Sequence, residues 1–592
     1  MAASTSEVIV VSKEGGQSGM IGRNTITNRL ARGVGVNLLG QVITTGQNLI
    51  LVPLFLTSWG VALYGDWLAL SAAAAYMALL DIGMQNYAVN LMNIHRTREE
   101  HDQFHQVLHS ALSLYMVIVG ITFVFIVSLV WWVPWVELLG LQMIGQTMSG
   151  AVLVLSGVQI LAAIPIGLLS GIYRCVGEYD RGQSIGNVLR LFSVGITCSA
   201  LLTGGSPPVV AALLAFQPFL ALSIIKYDLR RRHSGIHIGV SRSSWRLSAS
   251  FFMPSIFFFL FPLSNSLTSQ GVSLVLAATL GSTSLVAFST TRTLANLVRQ
   301  VFSASNSALW PEMTSLFAAG QFDRLRVLNA AACKYSLGAA LAVASFLYFF
   351  ADHIFTLWTG NRVEADRVLL GIFLISAVSN SLWYTSGMIQ VAANLHRNAA
   401  IRTFLTALTT IVLAMILIQF WRERGVALAV LFADLLFSSF SLMRNTCRII
   451  KESAIRLLVE LIARCAPFAC CVFLVSWTLS RVAGHSWHEF AATGMLYSLL
   501  AAVIAWICLM GRPEKELIRT WLVRTASTVY AEGDNRLTVL LTKRLTADAI
   551  KERDEPDSFS RGDGEVGSAP LAGGGSEADF KARKKGVQNH RA

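Results

Sequence analysis

Six polar residues recur through an otherwise apolar stretch: Ser289, Arg292, Asn296, Arg299, Ser303 and Asn306. Spacings of three and four put them on one face of a helix. Two permanently charged, planar guanidinium groups with amides between them suit an anion with several oxygens, phosphate above all, because the fork donates in pairs. The alternative is structural: both arginines snorkel, or pair with a carboxylate such as Asp434, which has a similar depth in its own apolar run. Asn37, Gln41, Thr44 and Asn48 form a second stripe, with Gln47 beside it. Uncharged amides suit hydroxyl-rich ligands such as sugars, and interhelical hydrogen bonding is their plainer use. Ser264, Asn265, Thr268, Ser269 and Gln270 make a third polar group, next to a Pro262 placed to break its helix.

Asp66, Asp81 and Asp434 also lie within apolar runs and are the candidates for binding a coupling ion. Asp434 is the strongest by depth, whereas Asp81 reads rather as a helix-end or interlobe contact than as a proton carrier. The sequence holds no Walker A loop, no glycine-rich dinucleotide turn and no zinc-ligand pair. Its eight cysteines fall in apolar runs or basic loops without metal-ligand spacing. We therefore expect no catalytic residues, no metal and no cofactor, and energy drawn from an ion gradient, of protons or sodium, from the membrane potential or from consumption of the product on the far side.

The elements that position these residues follow from composition. Of 592 residues 54% are hydrophobic and only 14% charged, and the mean hydropathy is +0.56. A water-soluble surface for a chain of this size needs more charge. Apolar runs of spanning length occur at about 33–57, 62–91, 107–132, 147–172, 183–203, 207–226, 248–270, 280–308, 331–351, 367–394, 399–420, 425–445, 461–480 and 490–510. The expected fold is all-α, a polytopic membrane protein of about fourteen transmembrane helices. Arg292 lies about ten residues into its run, ~15 Å by the helical rise, near the midplane.

The formal net charge of +13 is spread over short clusters between apolar runs. That pattern reads as topology, and no nucleic-acid partner is expected. Lys and Arg crowd the connections at 96–98, 174–181, 226–246, 324–334, 397–402 and 444–464, while the opposite side holds only Arg362, Arg367, Arg422, Arg424 and Arg481. By the positive-inside rule both termini are cytoplasmic. Residues 1–32 have no apolar core, so the first run is expected to act as an uncleaved insertion signal. The outer connections are short, the longest at about 352–366, with no room for a folded external domain.

The chain is expected to divide into a cytoplasmic N-terminal segment (1–32), a six-helix N-lobe (33–226), a basic cytoplasmic linker (227–247), a six-helix C-lobe (248–445), two further helices (446–510) and a cytoplasmic tail (511–592). The tail from about 552 is rich in Gly, Ser, Asp and Glu and cannot bury enough apolar surface to fold. A weak echo links the lobes at an offset of 221: Gly60, Tyr64, Gly65 and Trp67 correspond to Gly281, Leu285, Val286 and Phe288.

The stretch NLLGQVITTGQNLILVPLFLTSWGVALYGDWLAL from Asn37, LLDIGMQN from Leu79, LGSTSLVAFSTTRTLANLVRQ from Leu280 and ALWPEMTSLFAAGQFDRL from Ala308 resemble the polysaccharide flippases of the multidrug, oligosaccharidyl-lipid and polysaccharide exporter superfamily. The resemblance covers roughly residues 30–450. It implies two six-helix lobes in a V around a central cavity, alternating access in a bacterial inner membrane, and movement of an undecaprenyl-pyrophosphate-linked oligosaccharide, a unit of O-antigen, capsule or exopolysaccharide. Membrane lipids, a polysaccharide polymerase and a chain-length regulator are the implied partners. Arg292 falls where such flippases commonly carry an Arg. Where many members have an Asp-Arg pair, this sequence has Val272 and Ser273.

On this reading Arg292, Asn296, Arg299, Asn306, Asn37, Gln41, Asn48, Asn265 and Gln270 are the expected substrate-binding residues. Two alternatives remain. A small-molecule cation exporter of the same superfamily would want carboxylates in its cavity. A membrane-embedded polysaccharide polymerase or ligase would want a large external loop.

Overall fold

The computed structural model describes residues 19–511 except 82, 393–395 and 485, and also 514–516 and 520. The expected N-terminal segment before residue 19 and nearly all of the tail, including its expected disorder, lie outside the described residues.

Every regular element described is helical. In chain order these are α1 (Gly19–Ala75), α2 (Met84–Thr97), α3 (His101–Trp132), α4 (Trp135–Leu138), α5 (Gln146–Cys175), α6 (Tyr179–Leu202), α7 (Pro207–Arg232), α8 (Trp245–Ser250) and α9 (Phe252–Ser266). The second half contributes α10 (Val272–Leu280), α11 (Ser282–Ala318), α12 (Phe322–Phe349), α13 (Ala351–Thr359), α14 (Arg367–Ala392), α15 (His396–Ala433), α16 (Phe440–Ile449), α17 (Ala454–Val482) and α18 (Trp487–Cys508). A 3₁₀ turn (Tyr76–Asp81) links α1 to α2, and single π-helical stretches link α9 to α10 (Leu267–Gly271) and α15 to α16 (Asp434–Ser439).

Among the described residues ten helical segments are long and apolar enough to cross a membrane. The difference from fourteen has physical causes. Helix α1 has 57 residues, about 85 Å by the helical rise and far longer than a hydrocarbon core of ~30 Å. A kink at Gly60 breaks it, and the segment that meets the criterion runs on through α2 to Thr97 as one stretch. Helix α15 is likewise kinked at Trp421 and Arg422 and runs on into α16. The pieces α9 and α10 are individually short, and α11 carries the polar stripe that dilutes its hydropathy.

The two kinks of the expected echo share one backbone conformation. Gly60 has φ 72° and ψ −179°, and Gly281 has φ 86° and ψ 164°. This region of the map is open essentially only to glycine. In each half it lets one helix reverse directly into the next, at the end of the bundle poor in Lys and Arg. The expected loop at 352–366 is also more ordered than its composition suggested. Its first part is α13, which buries Ile354, Phe355 and Trp358, and Trp358 Nε1 donates to the Leu49 carbonyl oxygen of α1 at 2.7 Å.

That arginine-poor end is where the halves close on each other. Phe55, Tyr64 and Trp67 of α1 join Leu285, Val286 and Phe288 of α11 and Phe350 and Phe355 in the largest apolar cluster. Backbones approach closely here: a Cβ on Gly65 would lie 2.3 Å from the Ser282 carbonyl oxygen. Small residues at such seams are how helices associate where lipid competes for apolar contact. Large apolar side chains point outward instead, as at Met495, Leu499, Val503 and Ile507 of α18, each more than half exposed.

Candidate functional site

Ser289, Arg292, Asn296, Arg299 and Ser303 of the α11 stripe border two cavities shared with α1. Arg292 is anchored by neutral acceptors: Nη1 donates to the Ser269 carbonyl oxygen at 2.9 Å and Nη2 to Ser273 Oγ at 3.1 Å. Its guanidinium carbon lies 5.4 Å from the Phe288 ring centroid, a cation–π contact. Ser269 lies in the π-helical stretch before α10, and Ser273 in the first turn of α10. The guanidinium borders a cavity of about 300 Å³ lined also by Asn48, Gln270, Ser289 and the aromatic rings of Phe55, Tyr64 and Trp67.

A second cavity, of about 540 Å³, lies toward the arginine-rich ends of the same two helices. Asn37, Gln41 and Thr44 of α1 face Asn296, Arg299 and Ser303 of α11 across it, and α6 closes it with Gln183, Asn187 and Arg190. Arg190 Nη1 donates to the Gly40 carbonyl oxygen at 3.3 Å and to Asn187 Oδ1 at 3.4 Å. Asn187 Nδ2 donates to the Val36 carbonyl oxygen at 3.0 Å. Arg190 is thus fixed through one nitrogen of a five-donor group. Both cavities fall in the size range of small-molecule sites. Among the described residues neither is lined by a carboxylate.

Of the nine residues expected to bind substrate, Arg292, Asn48 and Gln270 line the first cavity and Arg299, Asn296, Asn37 and Gln41 the second. Asn306 lines neither. It is 2% exposed and donates from Nδ2 to Thr385 Oγ1 of α14 at 2.9 Å, so the lower end of the stripe has turned from lumen to packing. Asn265 is exposed and lines neither cavity. Arg190, Gln183 and Asn187 lie in a run whose mean hydropathy marks only a membrane span. Their spacing of four and three is the same helical signal as on α11.

The three aspartates have different surroundings. Asp66 is fully buried and accepts from the backbone N–H groups of Gln142, Met143 and Ile144 at 2.7–3.2 Å, which ties α1 to the turn before α5. Asp81 accepts from Tyr115 Oη and from the Gln85 N–H, and borders a separate cavity of about 530 Å³ between α2, α5, α6 and α7. Asp434, 8% exposed, opens the π-helical stretch after α15 and accepts from Trp383 Nε1 at 3.1 Å. Among the described residues no ion pair joins it to Arg292 or Arg299.

No protein-family profile matches the chain, and no curated protein matches it in sequence. Solved structures do match. The lipid II flippase MurJ in an inward closed conformation aligns with a TM-score of 0.58 at 14% identity, over 80% of this chain and 97% of that one. The MATE multidrug transporter DinF-BH aligns with 0.53 at 15%, over 74% and 100% of the two chains. An inward-facing multidrug resistance MATE family transporter of the MOP superfamily aligns with 0.51 at 15%, over 71% and 95%. At these identities the likeness is one of architecture: the chain has the all-helical fold of the MurJ and MATE transporters.

Proposed function

We propose that the chain is a flippase that carries an undecaprenyl-pyrophosphate-linked oligosaccharide across a bacterial inner membrane by alternating access. The supporting observation is a pair of cavities along α1 and α11, one bordered by Arg292 and the other by Arg299 and Arg190, both with amides and neither with a lining carboxylate among the described residues. A guanidinium in a low-dielectric span costs roughly 2.5–3.5 kcal/mol on insertion scales. A diphosphate entering the lumen offsets that cost, whereas a cationic drug adds to it. The reading includes fourteen crossings in two six-helix lobes (33–226 and 248–445) plus 446–510, with both termini cytoplasmic. A proton or sodium gradient supplies the energy, with Asp434 as the coupling group, and a polymerase and chain-length regulator use the product.

The test is deletion of the gene followed by assay of which face of the inner membrane carries the lipid-linked glycan. Accumulation on the cytoplasmic face, rescued by wild type but not by Arg292→Ala present at normal level in the membrane, is expected. Arg292→Lys should rescue only in part. Full rescue by Arg292→Ala would remove the phosphate role. Asp434→Asn should alter the pH or sodium dependence of transport, and an unchanged dependence would free Asp434 from coupling. Loss of drug resistance with glycan orientation unaffected would favour a cation exporter instead.

A further inference from the structure

Two buried histidines at the start of α3 hold the segment that joins the two halves. His105 and His109 are 7% and 3% exposed and lie one turn apart, and residues 233–244, between α7 and α8, cross over them. His105 Nδ1 lies 2.7 Å from the His101 carbonyl oxygen, and its Nε2 accepts from the His237 N–H at 3.1 Å. His109 Nε2 lies 2.8 Å from the His237 carbonyl oxygen, and its Nδ1 accepts from the Arg242 N–H at 3.1 Å.

A carbonyl oxygen only accepts and an amide N–H only donates, so these partners assign the protons. His105 carries its hydrogen on Nδ1 and His109 on Nε2, and each uses its remaining lone pair to hold the linker. Both rings are therefore bound as neutral imidazole. A protonated ring has N–H on both nitrogens, which would set donor against donor at the His237 or Arg242 amide.

The ionisable groups nearby are otherwise engaged. On α3, Asp102 accepts from Arg242 Nη1 of the linker at 2.7 Å. From the turn after α2, Glu100 pairs with His95 at 2.6 Å and Arg96 Nη1 lies 3.2 Å from His101 Nδ1. The linker's own His237 ring stands 5.8 Å from that of His105. Among the described residues no carboxylate forms an ion pair with His105 or His109, so nothing in contact compensates an imidazolium there. Farther along the linker, Ser110 Oγ accepts from the Ser244 N–H at 2.8 Å, a contact that protonation leaves intact.

We propose that His105 and His109 form a proton-operated clasp, which when neutral fixes residues 236–242 of the interlobe linker on α3 and when protonated releases them. Histidine is the side chain whose ordinary charge change falls between pH 5 and 8. The linker is the covalent connection between the halves, so its release frees their relative motion. The clasp stands independently of what the lumen carries.

Hydrogen exchange of the full-length protein in lipid nanodiscs, corrected for the intrinsic pH dependence of amide exchange, tests this directly. Protection at the His237 and Arg242 amides should fall by about tenfold or more between pH 7.5 and pH 5, while amides in the middle of α3 keep theirs. In a His105→Gln, His109→Gln double variant that protection should no longer vary with pH. Retained protection in wild type at pH 5, or the same pH-dependent loss in the double variant, would overturn the proposal. Asp102→Asn, which removes the exposed ion pair and leaves both imidazoles, serves where the double variant fails to insert. It should keep the wild-type pH dependence, and loss of that dependence would make the Asp102–Arg242 pair the sensor and refute the clasp.

Discussion

Arg292 and Ser273 are joined across α11 and α10 by a 3.1 Å hydrogen bond from Nη2 to Oγ. Ser273 also donates to the Ser269 carbonyl oxygen at 2.9 Å, the acceptor that Arg292 Nη1 uses. The guanidinium is thereby oriented without being neutralised, and its charge stays available to the lumen. A carboxylate at 273 would orient the same group and cancel it. On the proposed flippase reading, Ser273→Asp should therefore abolish export, as is expected of Arg292→Ala, while Ser273→Ala, which removes one hydrogen bond to a charged group worth roughly 1.5–3 kcal/mol but leaves the Ser269 carbonyl acceptor, should lower export without abolishing it. Glycan export in the deletion strain reads both, and normal export by the Asp variant would show that the charge of Arg292 is not used.

Arg190 stands on α6, opposite Arg299 on α11, and both line the 540 Å³ cavity. If the two guanidinium groups act together on one polyanion, Arg190→Ala should lower export and Arg190→Glu should abolish it. The Arg190→Ala, Arg299→Ala double variant should be less than additive, because groups sharing one ligand couple. Strict additivity would separate Arg190 from the Arg299 site.

Gly281 occupies a backbone region that costs a non-glycine residue about 1–3 kcal/mol. Gly281→Ala and Gly60→Ala should each lower the melting temperature of the purified protein. Gly65→Ala should do so by a different route, since its Cβ meets the Ser282 carbonyl oxygen rather than a movable side chain. Unchanged melting of all three would mean that the closed end relaxes freely.

Asp366, in the connection before α14, caps that helix by accepting from the Val368 and Leu369 N–H groups at 3.0 Å, and accepts from Arg424 Nε at 2.8 Å. Burial opposes its charge, but Arg424 and the two backbone donors outweigh burial and hold the carboxyl below the usual range. A depressed folded-state value contributes stability that is present above the unfolded value, about 3.9, and is lost as pH falls through the folded one. Asp366→Ala should cost about 1 kcal/mol at neutral pH, a typical cap loss. The gap in thermal stability between it and wild type should close below about pH 4, and a gap that stays constant into acid would exclude the ionised cap.

Membrane character, helicity and the polar faces of α1 and α11 were readable in the chain because each follows from local repetition. Twenty apolar residues must span, and polar residues three and four apart must share a side. The same periodicity on α6 was equally present at Gln183, Asn187 and Arg190. It was obscured because a run judged by mean hydropathy hides a few polar members. The Gly60 and Gly281 echo was legible as identity at an offset, but its meaning as a shared glycine-only turn required the dihedral angles.

Where a stripe stops facing the lumen was not local information. Asn306 continues the spacing of Arg292 and Arg299 yet packs against Thr385, because α14 covers that turn of α11. Asp66, Asp81 and Asp434 are alike as residues, and only their surroundings separate three backbone donors, a tyrosine hydroxyl and a tryptophan N–H. Periodicity along one chain dictates which atoms share a helix face. Which face meets water, lipid or another helix depends on partners hundreds of residues away, and is decided only when those helices pack.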